Sequence, residues 1–336
     1  MKKIIALSCG KKNGRCENYI KAAAAGASEY GIETEIIQAM ALKILPCNGC
    51  QICFKTGKCV HKDDIEWILE KTMLEDAALI MGVPCYHLRA NAYFMCINDK
   101  MLHINRNDSN VMKKTRVGAI IGVGGSGYDA WASLNLTSAN IFLQHTRKLV
   151  DQIQINGCGL KEWNLWLREG LPPTDHTNQV RCQDVDYEVV WEKWGQKYDL
   201  TDFTKKAFER ARQLGRNVAE AMNMQIEDVK YVGEEYDVAC PVCHCNILLV
   251  PEKLPYVYCP VCAVRGTVVF KGEGEMKVLW NEEDAKNPRF SVEGEEHHWY
   301  WLMTHSGGDF AKIEKQMDAL NKNFKSYGKY ILPEKS

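Results

Sequence analysis

Eight cysteines form two clusters with the spacing of metal ligands, and these clusters restrict how the chain can fold at two places. The chain has 15 cysteines in 336 residues. An odd cysteine count without a secretory leader favours metal ligation over disulfide bonds. The first cluster consists of Cys47, Cys50, Cys53 and Cys59, and the second of Cys240, Cys243, Cys259 and Cys262.

The first 157 residues alternate short apolar runs with helical patterns. Such alternation predicts βαβ units and a parallel sheet. The expected fold is α/β, a flavodoxin-like, doubly wound, five-stranded parallel sheet, in which ligands bind beyond the carboxyl ends of the strands. The strands are predicted at 4–7, 34–37, 77–83, 117–121 and 149–155.

Two further segments follow this domain of residues 1–157. Residues 158–236 are predicted to form an aromatic-rich insertion and a helix. The tryptophans of this insertion indicate either a packed excursion or a lid over a substrate pocket. Residues 237–336 are predicted to form a small β-rich zinc ribbon, with a C-terminal helix over 309–324.

Three loops at the ends of predicted strands indicate a phosphate-bearing ligand. Glycines and basic residues join the first strand to the first helix, where free backbone N–H groups attract a phosphate. The loops match neither the dinucleotide fingerprint nor the Walker spacing, and they suit a planar ring with a phosphate tail. The candidate ligand-binding residues are Ser8, Gly10, Lys12, Asn13, Gly14, Arg15, Cys16, Pro84, Cys85, Tyr86, His87, Gly124, Gly125 and Ser126.

Tyr86 and His87 are also the candidate catalytic residues. Both follow the strand expected to face the ring, and their side chains can deliver a proton. A helix is predicted shortly after them, so His87 could instead cap that helix.

The first cysteine cluster indicates an inorganic cluster. Three cysteines at a spacing of three residues, followed by a fourth, are typical of iron–sulfur ligation. A [4Fe–4S] cluster is the favoured interpretation, while zinc and free or redox-active thiols are the alternatives. His61 is expected to be a loop residue rather than a ligand.

The second cysteine cluster is formed by two C-x-x-C pairs on a hairpin. This pattern predicts a closed site with four sulfur ligands, which has a structural role because no coordination position stays open. Zinc is the favoured metal, and a rubredoxin-type iron or no metal are the alternatives. Cys245 is expected to be a bystander.

The run from Pro46 to Asp64 resembles the iron–sulfur flavoproteins, which belong to the NADPH-dependent FMN reductase group. Residues 82–86 and 98–100 resemble the second FMN loop of that group and the helix behind it. The resemblance implies FMN at the three loops, a [4Fe–4S] cluster at the first four cysteines, and a homodimer or homotetramer that brings one subunit's cluster near another's flavin. The first loop departs from the family pattern at Cys9, Gly10 and Cys16.

Composition limits the function. The formal net charge is −1, and no apolar run is long enough for a membrane span, so neither nucleic acid nor a membrane is an expected partner and a cytoplasmic location is expected. We expect an oxidoreductase that uses FMN and a [4Fe–4S] cluster. The donor is ferredoxin or NAD(P)H, and the acceptor is a quinone, an oxygen species or a small unsaturated organic molecule. The alternative is a non-enzymatic redox sensor or electron carrier that docks through the ribbon.

Overall fold

The computed structural model describes residues 2–101, 113–124, 133–155, 200–272, 275–304 and 310–322. The aromatic-rich part of the predicted insertion, including Trp163, Trp166, Trp191 and Trp194, lies outside these residues, as do Gly125 and Ser126.

A parallel sheet organises the N-terminal part. Its strands are β1 (Lys3–Ser8), β2 (Glu33–Gln38), β3 (Ala78–Tyr86), β4 (Arg89–Ala90), β5 (Arg116–Val123) and β6 (Arg147–Ile155). The order across the sheet is β2-β1-β3-β5-β6. This order is that of a flavodoxin-like sheet, which confirms the predicted fold class. A two-residue strand, β4, pairs antiparallel with the end of β3.

Strand β3 is longer than the sequence predicts. Pro84 was expected to end it, yet the strand continues to Tyr86, with Pro84 in register with Val123 of β5. Proline lacks an N–H donor, and this loss is tolerated near the end of a strand where the ladder stops. Eight of the nine residues of β3 are buried, as expected of a central strand covered on both faces.

Helices cover both faces of the sheet. The bounds are α1 (Arg15–Ser28), α2 (Cys53–Thr56), α3 (Ile65–Leu69), α4 (Ala92–Asn98), α5 (Asn135–Gln144) and α6 (Leu200–Ala221). A turn of π-helix continues α3 over Glu70–Leu74. Asp64 precedes α3, but its side chain makes no capping hydrogen bond; it accepts instead from the backbone N–H of Lys43.

Helix α6 packs against α1 through two glycines. A Cβ atom on Gly26 would lie 2.0 Å from the carbonyl oxygen of Arg212, and one on Gly215 would lie 1.8 Å from that of Ala23. Only glycine allows the two backbones to approach so closely. Buried residues of α6, among them Leu214 and Val218, belong to the same hydrophobic core as α1.

The C-terminal part contains more helix than the sequence predicts. Its antiparallel strands are β7 (Val257–Tyr258), β8 (Arg265–Lys271) and β9 (Glu275–Trp280), and its helices are α7 (Glu282–Lys286), α8 (Val292–Thr304) and α9 (Phe310–Lys322). Helix α9 agrees with the prediction, whereas α8 was not predicted. Among the described residues, no helix is both long and apolar enough to cross a membrane.

Candidate functional site

The first two predicted ligand loops are joined at the carboxyl edge of the sheet. The backbone N–H of Cys9 donates to the carbonyl oxygen of Gly82, at 2.9 Å. The side-chain amide of Asn91 donates to the carbonyl oxygen of Cys9, at 2.6 Å. Asn91 is buried, so this bond fixes the first loop against the second.

The third loop begins beside the second. Gly124 has a φ of +96°, and a Cβ there would lie 3.2 Å from the carbonyl oxygen of Cys85. Its N–H donates to Ile155 at the end of β6. The structure therefore brings Gly124 next to Cys85, as the sequence predicts for loops that end neighbouring strands.

The first loop leads directly into α1. Gly14 is the N-cap and supplies no side-chain cap, so the first-turn amides of this helix face the loop. Lys11, Lys12 and Arg15 are exposed around it. These features fit an anionic group such as a phosphate.

The start of α1 holds the backbone of Asn13 in place. It adopts a φ of +58°, and its backbone N–H donates to the carboxylate of Glu17, at 3.2 Å. The amide of Gln38 donates to the same carboxylate, and Lys21 forms an ion pair with it. The Lys21 ammonium is the main reason that the pKa of Glu17 lies below its ordinary value, with burial acting in the opposite direction.

Cys16 fills the space behind the first loop. Its side chain is buried, and a Cβ on Gly10 would lie 2.7 Å from the Cys16 Cβ. Burial raises the pKa of its thiol to about 12, although backbone N–H groups of Gly10 and Cys9 and the Ser8 hydroxyl act to lower it. Cys16 is thus a neutral thiol that supports the loop from inside.

The second loop contains a tight turn. His87 and Leu88 have φ values of +50° and +68°, so both adopt the left-handed conformation that is unfavourable for residues with a Cβ. Such strain often marks a functional loop. Tyr86 and His87 are exposed, with Tyr86 at 57%. Asn91, and not His87, caps α4 by accepting from the N–H of Phe94.

The cysteine loop surrounds one cavity. Cys47, Cys50, Cys53 and Cys59 all line a space of about 80 Å³, together with His61 and Lys100. Gly49, Gln51 and Gly57 have positive φ values and turn the chain around it. The N–H of Gly49 lies 3.4 Å from the Cys47 sulfur.

The thiols of this loop affect one another. Burial and then the neighbouring thiols of Cys59, Cys47 and Cys50 raise the pKa of Cys53. Four cysteines this close to one another can bind a cationic centre as thiolates. The four sulfurs surround a cavity rather than meeting at one point, and this arrangement fits an inorganic cluster larger than a single ion.

A buried ion pair supports the cysteine loop from behind. Lys100 and Asp63 are joined at 2.5 Å, and their side chains are almost fully buried. Asp63 also accepts from the N–H of Leu45, at the start of the cysteine loop. Lys100 lies just beyond the end of α4, whereas Asn91 holds the first ligand loop at the start of this helix. Seven residues of helix place these ends about 10 Å apart.

The second cysteine cluster forms a compact sulfur site. The sulfurs of Cys240, Cys243, Cys259 and Cys262 lie within 4.8 Å of one another, and all four residues are buried. No other group of three or more potential ligands in the described part of the chain meets so closely. Tetrahedral zinc with Zn–S bonds of 2.3 Å requires sulfurs about 3.8 Å apart, so the site fits a single metal ion.

The two halves of this site have the same backbone form. His244 and Ala263 each follow the second cysteine of a pair and have positive φ values of +54° and +61°. Their N–H groups donate back to the carbonyl oxygens of Cys240 and Cys259. Thiols of the other three cysteines hold the pKa of Cys259 well below its ordinary value. A buried thiolate of this kind is stabilised by a bound cation.

Polar residues that sequence reasoning missed attach this sulfur site to the N-terminal sheet. The side-chain amide of Gln152, on β6, donates to the carbonyl oxygens of Cys243 and His244 at 3.2 and 3.0 Å. Gln144, at the end of α5, points its amide at the sulfur of Cys262, at 3.9 Å. Cys245 is buried beside Asn140, outside the set of four. Nothing local in the sequence marks these residues, since each acts across more than 90 positions.

Residues 2–146 match the family model of NADPH-dependent FMN reductase. These residues, slightly under half of the chain, are similar to that family. An iron–sulfur flavoprotein of Methanosarcina thermophila is 33% identical over 125 residues, which are 37% of this chain and 64% of the relative. One of Methanocaldococcus jannaschii is 29% identical over 149 residues, which are 44% of this chain and 75% of that protein. The matched segment of the first relative is thus slightly under two thirds of its length.

A solved structure resembles the whole chain. A flavone reductase superposes with a TM-score of 0.68 at 22% identity, covering 99% of this chain and 100% of that one. At this identity the likeness concerns the fold. The shared fold extends over the C-terminal part as well as the N-terminal sheet.

Proposed function

We propose that this chain is an FMN- and [4Fe–4S]-dependent oxidoreductase. It takes electrons from ferredoxin or NAD(P)H and passes them to a quinone, an oxygen species or a small unsaturated organic acceptor. The observation that carries the proposal is that the first two ligand loops and the start of the third, at Gly124, meet at one sheet edge, on a domain that also holds a cavity lined by four cysteines. FMN, when bound, supplies the ability to exchange one or two electrons.

The chain's own residues would hold the flavin in two parts. The first loop would hold the phosphate. Ser8, Gly10, Gly14, Cys16 and the first turn of α1 would allow close backbone approach, and Lys12, Asn13 and Arg15 would lie at the rim. Pro84, Cys85 and Gly124, together with Gly125 and Ser126 of the third loop, would hold the ring. Tyr86 and His87, which are exposed at the strained turn, deliver protons.

The metals have separate roles. Cys47, Cys50, Cys53 and Cys59 hold the [4Fe–4S] cluster, whose cavity opens toward solvent because Cys47 and Cys50 are exposed. Cys240, Cys243, Cys259 and Cys262 hold zinc, and the site is structural because four buried sulfurs leave no open ligand position. Iron at this second site is the alternative, and a purple-red colour in the purified protein would reveal it.

One experiment tests the proposal as a whole. Protein purified without oxygen is examined for flavin and iron–sulfur absorbance, and is then mixed with reduced ferredoxin or NADPH and with a quinone. We expect many turnovers per chain with at least one donor. A chain that binds FMN poorly and shows no turnover with either donor contradicts the proposal.

A second candidate function is a redox sensor or electron carrier that docks a partner through the ribbon. It is favoured by exposed apolar side chains on the ribbon: Val250 and Phe270 are 75% and 73% exposed, and Leu279 is 53% exposed. The same assay separates the two functions. A carrier is reduced once per redox centre and then stops, whereas an enzyme continues to turn over.

We also propose that the chain forms a homodimer or homotetramer. Helix α9 supports this, because Ile313, Met317 and Leu320 form a stripe at helical spacing and are 47–53% exposed. Burying such a stripe against another subunit stabilises the assembly. Light scattering on the wild type and on Met317→Glu tests it: a monomeric wild type contradicts the proposal, and a variant of lower mass places the contact at α9.

A further inference from the structure

Helix α8 has one face toward the N-terminal domain and another that lines a cleft. Glu295 and Trp299 lie on the face toward the N-terminal domain, where Glu295 forms a buried pair with His145 at 2.5 Å. Residues His297, His298 and Trp301 lie on another face and line a cleft of 560 Å³ against the ribbon. This volume is in the range of small-molecule sites.

The cleft has aromatic walls. On the ribbon side the rings of Tyr256 and Tyr258 stand 5.1 Å apart at 80°, with their hydroxyl groups 3.2 Å apart. On the helix side the rings of His298 and Trp301 are nearly parallel, and Trp301 is 46% exposed. Aromatic walls on both sides favour a planar aromatic ligand, which stacks on one tyrosine ring and meets the perpendicular one edge-on.

The two arginines of the cleft, Arg265 and Arg289, differ in their partners. Arg265 is neutralised by Asp284, which accepts two hydrogen bonds from its guanidinium at 2.6 and 2.7 Å. Arg289 instead donates to the carbonyl oxygen of Pro260, at 2.9 Å, and within the described part of the chain it makes no ion pair with a carboxylate. A guanidinium is always charged and presents further N–H donors, which match a carboxylate in two-pronged geometry.

We propose that this cleft binds a planar aromatic carboxylate, with its ring between Trp301 and the two tyrosines and its carboxylate on Arg289. The site is separate from the flavin loops and from the cysteine loop, since it shares no residue with either. It therefore stands independently of the proposed oxidoreductase activity. Trp299 of the same helix contacts the cysteine loop. A ligand in the cleft therefore contacts the helix that supports this loop.

Calorimetry on the full chain saturated with FMN tests the proposal with three probes. These are 2-naphthoate, its neutral amide 2-naphthamide, and the non-aromatic anion cyclohexanecarboxylate. We expect 2-naphthoate to bind at least tenfold more tightly than either of the others, because only it satisfies both the aromatic walls and Arg289. Equal affinities, or no binding of 2-naphthoate up to millimolar concentration, overturn the proposal.

Variants locate the binding. Arg289→Gln should weaken 2-naphthoate about tenfold and leave 2-naphthamide unchanged, and Trp301→Ala should weaken both. The matched controls are Lys286→Gln, a nearby cation, and Tyr300→Ala, a neighbouring aromatic that is 70% exposed; neither lines the cleft. Unchanged binding in Arg289→Gln overturns the proposal. If 2-naphthoate binds the FMN-free protein but not the FMN-saturated protein, the probe occupies the flavin loops. This result would also overturn the proposal.

Discussion

Phe54, in the cysteine loop, lies against Trp299 of α8, with ring centroids 5.9 Å apart and planes at 58°. A residue from the C-terminal part therefore packs on the loop that carries the first four cysteines. Since Cys47 and Cys50 are exposed, this contact restrains a loop that solvent otherwise reaches freely. The stability of the loop is thus connected to the position of α8.

Trp299→Ala should speed the loss of the iron–sulfur cluster. Without the ring, the loop opens more often and exposes the cluster to oxygen and chelators. We expect iron release to accelerate several-fold. The measurement is the change of absorbance with time in the presence of a chelator. Tyr300→Ala is the control, and equal release rates for both variants and the wild type would exclude a supporting role for Trp299.

Cys50→Ser should remove the cluster and leave the fold. The apolar strands of the sheet supply most of the stability of the N-terminal domain, and Cys50 is exposed. We expect a yellow protein that binds FMN but lacks iron and the broad iron–sulfur absorbance. Reduction by ferredoxin should slow severely while chemical reduction of FMN continues. Cys96→Ser, a change outside both clusters, should retain iron; reduction of the Cys50 variant by ferredoxin at the parent rate would show that the cluster is no electron relay.

Cys259→Ser should remove the metal of the second site and destabilise the protein. Metal binding at a closed four-sulfur site contributes directly to folding, and here the site also anchors the ribbon to Gln144 and Gln152. We expect metal analysis to fall from one zinc per chain to none and the melting temperature to drop by more than 5 °C. Cys245→Ser should keep its zinc, because Cys245 is outside the set of four. Retention of zinc in Cys259→Ser would refute the ligand assignment.

Gly215→Ala should lower the free energy of unfolding by about 1–3 kcal/mol. The added methyl group would meet the backbone of α1, which cannot move aside as a flexible side chain could. Urea denaturation measures the change. Lys205→Ala, a change at an exposed position on the same helix, should alter stability by less than about 0.5 kcal/mol. Equal stability of Gly215→Ala and the wild type would show that the two helices do not cross as closely as described.

Glu17→Gln should reduce stability in a pH-dependent manner. The pKa of Glu17 is lowered in the folded protein, chiefly by Lys21, so its carboxylate stabilises the fold above its ordinary value of 4.5. This contribution is lost as the pH falls through the lower folded value. The difference in melting temperature between the wild type and Glu17→Gln should be constant at neutral pH and shrink below about pH 4.5. A difference that grows on acidification contradicts this linkage, and Glu33→Gln, at an exposed position, provides the control.

Local patterns in the sequence determine the parallel sheet and both cysteine clusters. Buried strands such as β1 and β3 are continuous apolar runs, and the spacing of C-x-x-C pairs fixes which sulfurs can meet, because neighbouring ligands are held by short stretches of backbone. The junction of the first and second ligand loops follows from the topology, since carboxyl ends of parallel strands share one edge. Asn91 was not foreseen, although it holds this junction.

Only the tertiary structure decided what α8 does and how the ribbon attaches to the sheet. The sequence of α8 shows no apolar stripe. One of its buried positions is Glu295, which is paired with His145, and its residues Trp299 and Trp301 lie on different faces. Gln144 and Gln152 look like ordinary polar residues until the fold places the sulfur site against them. Such contacts join residues far apart in the chain, and their energy depends on burial and pairing that local sequence does not encode.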